Sequence, residues 1–359
     1  MFKNYVLITF RSMAKNKIFI LINVLGMGIA VACCIVAYLN WDFSSNFDAN
    51  HVNAESIYRV QAWQDYQGKR SRHALTPTPL GNIIKENFKD VDKVVRYTTS
   101  TSNFRIGDEL FSTSVAYTDS AFFDLFSFSL KSGSFNGLHD KSQIVISDEL
   151  ARKYFNTEDV VGKQITQIIN EELKEFTIGG VFAVQPLNSS FAVDAITYWD
   201  NYWDTTPEKK SLDSDWKSAN TLFLQIKHAS GLPGVIQALQ AYIEPQNLAR
   251  QDFQLSEYYL QNFKTLAASF HGDTWLSGEQ LRWGFPPSAV LGPGIMAIFL
   301  LLLACFNFTN TSIAIAGKRL KEIGIRKVLG ATVRNLFLML SKDFGIMLFA
   351  ATAIASPVV

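Results

Sequence analysis

The chain has 359 residues, 48% of them hydrophobic, with 33 basic and 32 acidic residues and a net charge of +1. That composition excludes a disordered polyelectrolyte, and the near-zero charge offers no basis for nucleic-acid binding. The averages hide an uneven chain.

The first sixteen residues, MFKNYVLITFRSMAKN, place Phe2, Val6, Thr9, Phe10 and Met13 on one helical face, with Lys3, Arg11 and Lys15 largely elsewhere. This suits an amphipathic helix at 1–17 lying along the cytoplasmic face of a membrane; a frayed basic tail is the alternative. Residues 18–41 carry no charge and are long enough to cross a bilayer as a helix. The run exceeds a signal-peptide core and no clear cleavage site follows, so it reads as an uncleaved anchor. Within it Gly26 and Ala30, like Gly28 and Ala32, are small residues four apart that allow close helix packing. Asn23 is its one strongly polar residue at depth, tolerable if it faces another helix.

Residues 42–285 mix short strands and helices. Strands are predicted at 56–63, 94–99, 143–147, 221–228 and 255–263, and a hairpin at 104–118 turning at Gly107-Asp108. Helices are predicted at 76–88, 148–155 (with Ser147 as N-cap) and 232–243. The polar, Trp-rich stretch 200–218 reads as an exposed loop, with Trp199, Trp203 and Trp216 either at core edges or on a contact surface. A second span is predicted at 288–317, inside the charge-free run 283–317, with Pro286, Pro287 and Pro293 marking a hinge at its outer end. A third is predicted at 335–359.

Charge orients the chain. Residues 1–40 have a net charge of +4 and residues 286–359 a net of +5, whereas 41–285 hold 22 basic and 30 acidic residues. Short basic loops stay in the cytoplasm, so the acidic middle is outside. All three cysteines, Cys33, Cys34 and Cys305, fall in predicted spans, so the external domain relies on its own core rather than on disulfides.

No catalytic signature emerges. The five histidines lack metal-ligand spacing, and neither a nucleophile elbow nor a GxxxxGK phosphate loop is present. The carboxylate pairs Asp213/Asp215 and Glu171/Glu172 read as solvated loop charge. No metal or cofactor is expected, and if ATP powers the protein another chain binds and hydrolyses it.

Between the last two spans lies KRLKEIGIRKVLGA, residues 318–331. On a helical wheel Leu320, Ile323, Gly324, Val328 and Ala331 share one arc, with Lys318, Arg319, Glu322 and Arg326 opposite and Lys327 intruding. Glu322 and Arg326 are spaced for an ion pair of a few tenths of a kcal/mol. Gly330 is a natural stop, and Thr332 can cap the next helix. This pattern fits a short helix at 318–331 that a soluble protein can reach, or an ordinary basic loop that serves topology alone.

The motif KRLKEIGIRKVLGAT resembles the signature of FtsX-like permeases, the membrane subunits of MacB-type ABC transporters. The N-terminal NYVLITFRSMAKNKIFILINVLGMGIAVACCIVAYL and ESIYRV are similar to the start of such permeases. IVISDELARKYFNTEDVVGKQI and IGGVFAVQPLNSSF are similar to their periplasmic core domain. The resemblance implies transmembrane α-helices plus a large α+β periplasmic domain at 42–285, in a bacterial inner membrane. That domain would have two subdomains, one porter-like (55–125 and 218–265) and one inserted (126–217). It implies that Arg319, Glu322, Ile323, Gly324, Arg326 and Gly330 belong to a coupling helix that meets a separate ABC ATPase subunit. The other partners it implies are the lipid bilayer, a second permease copy or half, and a periplasmic adaptor. The family pattern includes further spans, so the chain reads as an N-terminal fragment of a longer permease. A two-span ligand receptor is the alternative, disfavoured because the chain re-enters the membrane after 331.

Overall fold

The computed structural model describes residues 17–66, 68–169, 172–205, 212–269, 276–328 and scattered positions from there to 353. The chain divides into two units, Met1–Ser45 with Pro287–Val359, and Asn46–Pro286. The predicted amphipathic helix at 1–17 and third span at 335–359 lie, but for a few positions, outside the described residues.

In the first unit, two long helices, Lys17–Ser45 and Pro287–Val328, contain stretches long and apolar enough to cross a membrane, Ile20–Ser45 and Pro287–Thr311. They pack together through Met27, Ala30 and Ala304, with Leu300 beside them. The buried residues of the first helix are Asn23, Val24, Met27, Gly28, Ala30 and Ala37, of which Asn23, Met27, Ala30 and Ala37 recur at heptad spacing. The predicted small-residue pairs are only partly used. Ala30 and Gly28 are buried, Ala32 is half-buried, and a Cβ added at Gly26 would meet nothing within 4 Å. Met27 packs beside Ala30 in the contact with Ala304. Neither amide atom of the buried Asn23 has a hydrogen-bond partner among the described residues.

A second contact explains how Pro293 sits within a continuous helix. Proline has no N–H, so the carbonyl of Ala289, four residues earlier, loses its usual donor. Asn40 of the first helix replaces it, donating from Nδ2 to Ala289 O at 2.8 Å. In low dielectric such an orphan is expensive. Asn40→Val is therefore expected to destabilise the helix pair by about 1–2 kcal/mol, and to cost much less in a Pro293→Ala background. Unfolding of the four proteins in a denaturing-detergent titration measures that coupling.

Among its described residues the second unit holds thirteen strands in one sheet: β1 (Ile57–Tyr66), β2 (Lys69–His73), β3 (Thr76–Pro77), β4 (Val91–Ile106), β5 (Glu109–Thr118), β6 (Leu130–Gly133), β7 (Gln143–Ser147), β8 (Gln164–Ile169), β9 (Glu172–Phe182), β10 (Ala195–Tyr198), β11 (Ala219–Ile226), β12 (Leu255–Asn262) and β13 (Leu276–Ser277). The order is β13-β2-β1-β11-β4-β5-β10-β7-β9-β6, with β12 on β1, β3 on β11, and β8 on β4 and β9. One apolar cluster (Val60, Leu80, Ile84, Leu222, Leu239, Tyr258) lies under β1, β11 and β12 and their helices. Another (Phe104, Ile144, Ile146, Phe176, Ile178, Trp199) lies under β7, β9 and β10 and the helix Asp148–Phe155. A third, rich in phenylalanine (Phe122, Phe126, Phe182, Phe191, Phe223, Phe263), joins strands of both sets.

Local chemistry sets several boundaries. Gly107, at φ +59°, turns the β4–β5 hairpin, whose ladder runs from Tyr97↔Thr118 to Ile106↔Glu109. The Ser147 hydroxyl accepts from Leu150 N at 3.1 Å and caps its helix. That helix ends at Asn156, a left-handed residue whose N–H donates to Arg152 O at 3.1 Å. The predicted helix 76–88 begins only at Pro79; Thr76, which precedes Pro77 and so favours extended backbone, pairs with β11 together with Pro77 instead. The predicted helix 232–243 is two helices, Leu232–Leu239 and Ile243–Ala249. Pro245 cannot donate to Ala241 O, so the first helix cannot run on. In the predicted loop Trp199 is fully buried, Trp203 packs on it at 5.5 Å, and Trp216 stacks on Tyr242 at 6.4 Å.

Candidate functional site

Much of the buried polar chemistry of the Asn46–Pro286 unit lies in its first and last segments. A first lead, 46–56, follows the helix Lys17–Ser45; a second lead, 276–286, precedes the helix Pro287–Val328. Both are threaded into the domain rather than hung from it.

The second lead starts as β13, parallel to β2, with Ala74 N donating to Ser277 O at 2.9 Å. Glu279 then accepts from Arg59 Nη1 of β1 on both carboxylate oxygens, at 2.8 and 2.7 Å. The pair is buried, 0% and 2% exposed by side chain. Burial pulls the Arg59 pKa below its usual value, and the Glu279 carboxylate works against that shift. Glu279 Oε1 also accepts from Gln280 N and Leu281 N, fixing the turn that follows. Gln280 Nε2 donates to Thr98 Oγ1 of β4 at 3.0 Å, and Leu281 is buried in the phenylalanine-rich core.

The first lead turns at Asp48, a non-glycine residue at φ +58°. Its carboxylate accepts from Ser190 N at 2.7 Å and Ser190 Oγ at 2.5 Å. His51 lies beside it, Nε2 to Asp48 Oδ1 3.9 Å, among Phe126, Phe191 and Phe263, while its Nδ1 accepts from Ser127 N at 3.0 Å. Burial pushes Asp48 up to about 6, against the Ser190 hydrogen bonds and the Arg282 charge, and pushes His51 down to about 4.

A third charged cluster ties β4 to the Trp-rich loop. Arg96 donates to Asp119 from Nε and Nη2 and to Asp213 from Nη1, with its guanidinium 4.7 Å above the Trp199 ring. Burial disfavours the Arg96 charge, but the two carboxylates outweigh it and hold the pKa above its ordinary value. Asp213 is therefore an ion-pair partner rather than solvated loop charge, and Asp215 accepts from Lys217 N and Ser218 Oγ within its own turn. Of the other predicted pair, Glu171 lies outside the described residues. No cluster of three metal-ligating side chains occurs among the described residues.

At the opposite end, the expected separate helix at 318–331 is replaced by a continuation of the second membrane helix to Val328. Between Thr311 and Val328 the sequence holds no proline and only isolated glycines, so nothing interrupts the backbone ladder. At 1.5 Å per residue its 42 residues span about 63 Å, roughly twice a bilayer core. Arg319, Glu322, Ile323 and Arg326 are on this helix, and their side-chain placement lies outside what the structure describes; Gly324 is exposed. Gly330, at φ +89°, follows the helix end and donates from N to Lys327 O at 3.1 Å. Sequence reasoning missed Asp48, Ser190, Arg59 and Glu279; the signals were the segments IGGVFAVQPLNSSF, which contains Ser190, and ESIYRV, which contains Arg59.

Two helices long and apolar enough to cross a membrane bracket an α+β domain, the architecture of a membrane protein with a large external domain. The chain belongs to the FtsX/MacB-type ABC transporter permeases: residues 20–242 match the MacB-like periplasmic core domain, and residues 294–359 match the FtsX-like permease C-terminal region. No curated protein matches it. Among solved structures, a permease domain from Porphyromonas gingivalis is 21% identical, with a TM-score of 0.48, covering 59% of this chain and 91% of that one. The periplasmic region of MacB from Actinobacillus actinomycetemcomitans is 14% identical, with a TM-score of 0.42, covering 63% and 96%. The extracellular domain of the ABC-type transporter YknZ from Gram-positive bacteria is 13% identical, with a TM-score of 0.40, covering 57% and 100%.

Proposed function

We propose that this chain sits in the bacterial inner membrane and relays ATP-driven motion of a separate ABC ATPase subunit to its periplasmic domain. The work served is efflux, lipoprotein release or control of cell-wall hydrolases. The supporting observation is mechanical. The helix Pro287–Val328 is unbroken, and the residues just ahead of it are fixed to β1 by the buried Arg59–Glu279 pair and to β2 and β4 by hydrogen bonds. A continuous helix transmits displacement along its own length. The stretch around Glu322 and Arg326 is the ATPase contact, and ATP is bound by that partner. A second permease copy or half completes the membrane unit, with a periplasmic adaptor as a further partner.

Replacing Glu322 and Arg326 together by Ala tests the relay. The variant is expected to insert normally and to lose at least tenfold of its transport-coupled ATP hydrolysis, measured in proteoliposomes with the ATPase subunit. Full coupling in the double variant removes these residues as the contact.

A further inference from the structure

One loop is bonded to both leads. The 185–190 segment, between β9 and β10, engages the first lead through both the backbone and the side chain of Asp48 and through its neighbours. Asp48 N donates to Asn188 O at 2.8 Å, Asn188 Nδ2 to Asn46 O at 3.0 Å, Asn50 Nδ2 to Gln185 Oε1 at 2.7 Å, and Ser190 N to the Asp48 carboxylate. It engages the second lead through Arg282, whose N donates to Ser190 O at 2.8 Å and whose Nη1 donates to Pro186 O and Leu187 O at 3.1 and 2.9 Å.

The two ends of the loop are rooted elsewhere. On one side Val184 N donates to Asp148 Oδ1 at 2.9 Å, at the start of the helix Asp148–Phe155. On the other, Phe191 is buried against Phe126 and Phe122. Beyond those roots the chain runs directly into β9 and β10, which pair with β5, β6, β7 and β8. The first lead continues instead into β1, and the second is fixed to β1, β2 and β4. Each lead thus has its own root in the β1 side of the sheet, and the loop is a bridge from both to the β7–β10 side.

We propose that the 185–190 loop is a clasp that senses the spacing of the two leads and carries a change in it to the β7–β10 strands. This rests on the relay reading above. Hydrogen bonds of this kind hold only near 3 Å, so leads that move apart must break the clasp or drag the β9–β10 connection with one of them. Asp48 makes the clasp stiff: its carboxylate takes two bonds from Ser190, and its left-handed backbone presents both its N–H and its side chain to the loop.

The test is amide hydrogen exchange of the full chain with its ATPase subunit in lipid nanodiscs, with ADP and with ATP plus vanadate. In the parent protein the nucleotide is expected to change exchange in both β1 and β7–β10. In Asn188→Ala/Ser190→Ala the change in β7–β10 is expected to shrink at least threefold while that in β1 remains. If the double variant does not fold, Arg282→Lys keeps the charge but loses the forked contact to Pro186 and Leu187, and a partial loss is expected. Nucleotide-dependent change that still reaches β7–β10 undiminished in a folded variant overturns the clasp alone, as does change confined to β1 in the parent. Absence of any nucleotide-dependent change in 46–286 of the parent overturns the relay, and the clasp with it.

Discussion

Glu279→Ala is expected to destabilise the periplasmic domain by about 3–5 kcal/mol, the usual consequence of leaving one member of a buried ion pair without its partner. Arg59 is fully buried on β1, and Glu279 accepts from it on both oxygens. Truncation strands a guanidinium that cannot reach water and also removes the acceptor of Gln280 N and Leu281 N. Domains are stable by only about 5–15 kcal/mol, so the loss is a large fraction of the total. Removing both charges is a different experiment. Arg59→Met with Glu279→Leu fills similar volume and is expected to recover most of the stability, since a buried pair contributes little beyond an apolar one. Tryptophan-monitored thermal unfolding of the full chain in detergent measures all three proteins. A single variant that melts with the parent would show that water reaches Arg59. The double variant has a second use: if it folds but no longer relays nucleotide state, the pair matters as an anchor of the second lead and not only as a source of stability.

What could be read from the sequence follows the range of the interactions. The Ser147 cap, the Gly107 turn and the Gly330 stop act over three or four residues, and the residue types declare them. The uncharged runs declare membrane helices in the same way. The clasp and the buried ion pair do not declare themselves, because Asp48 meets Ser190 across 142 positions and Arg59 meets Glu279 across 220. Asp48 in particular reads as an ordinary acid after a span, and only its φ of +58° and its burial mark it out. The small-residue pattern around Gly26 is only partly used, for a related reason. Spacing within one helix fixes which residues share a face, but the partner helix decides which face is used, and Met27 and Ala30 meet Ala304. At 318–328 the charge pattern was legible, whereas the join to the span was not. Charge alone does not end a helix, and no breaker stands between Thr311 and Val328.

The pair Asp48 and His51 predicts opposite pH responses when taken apart. Asp48 is raised by burial from its usual 3.8 to about 6, so the native state holds a proton there that the unfolded chain has released. Its contribution to stability is complete below pH 3.8 and is lost as pH rises through 6. His51 is lowered by burial from 6.5 to about 4, so the unfolded chain holds a proton that the native state lacks. Its contribution is complete above pH 6.5 and is lost as pH falls through 4. Between pH 4 and 6 the two slopes oppose each other, and the parent is expected to show little dependence from this site. Asp48→Asn leaves only the histidine, and stability should climb from pH 4 to 6.5 by on the order of 3 kcal/mol. His51→Gln leaves only the carboxyl group, and stability should fall by a similar amount from pH 4 to 6. Melting temperatures of the full chain at pH 4.5 and 6.5 give the signs directly. Parallel slopes in the two variants would mean that at least one of these groups keeps its ordinary proton affinity in the fold. The burial that sets that group's shift would then be absent.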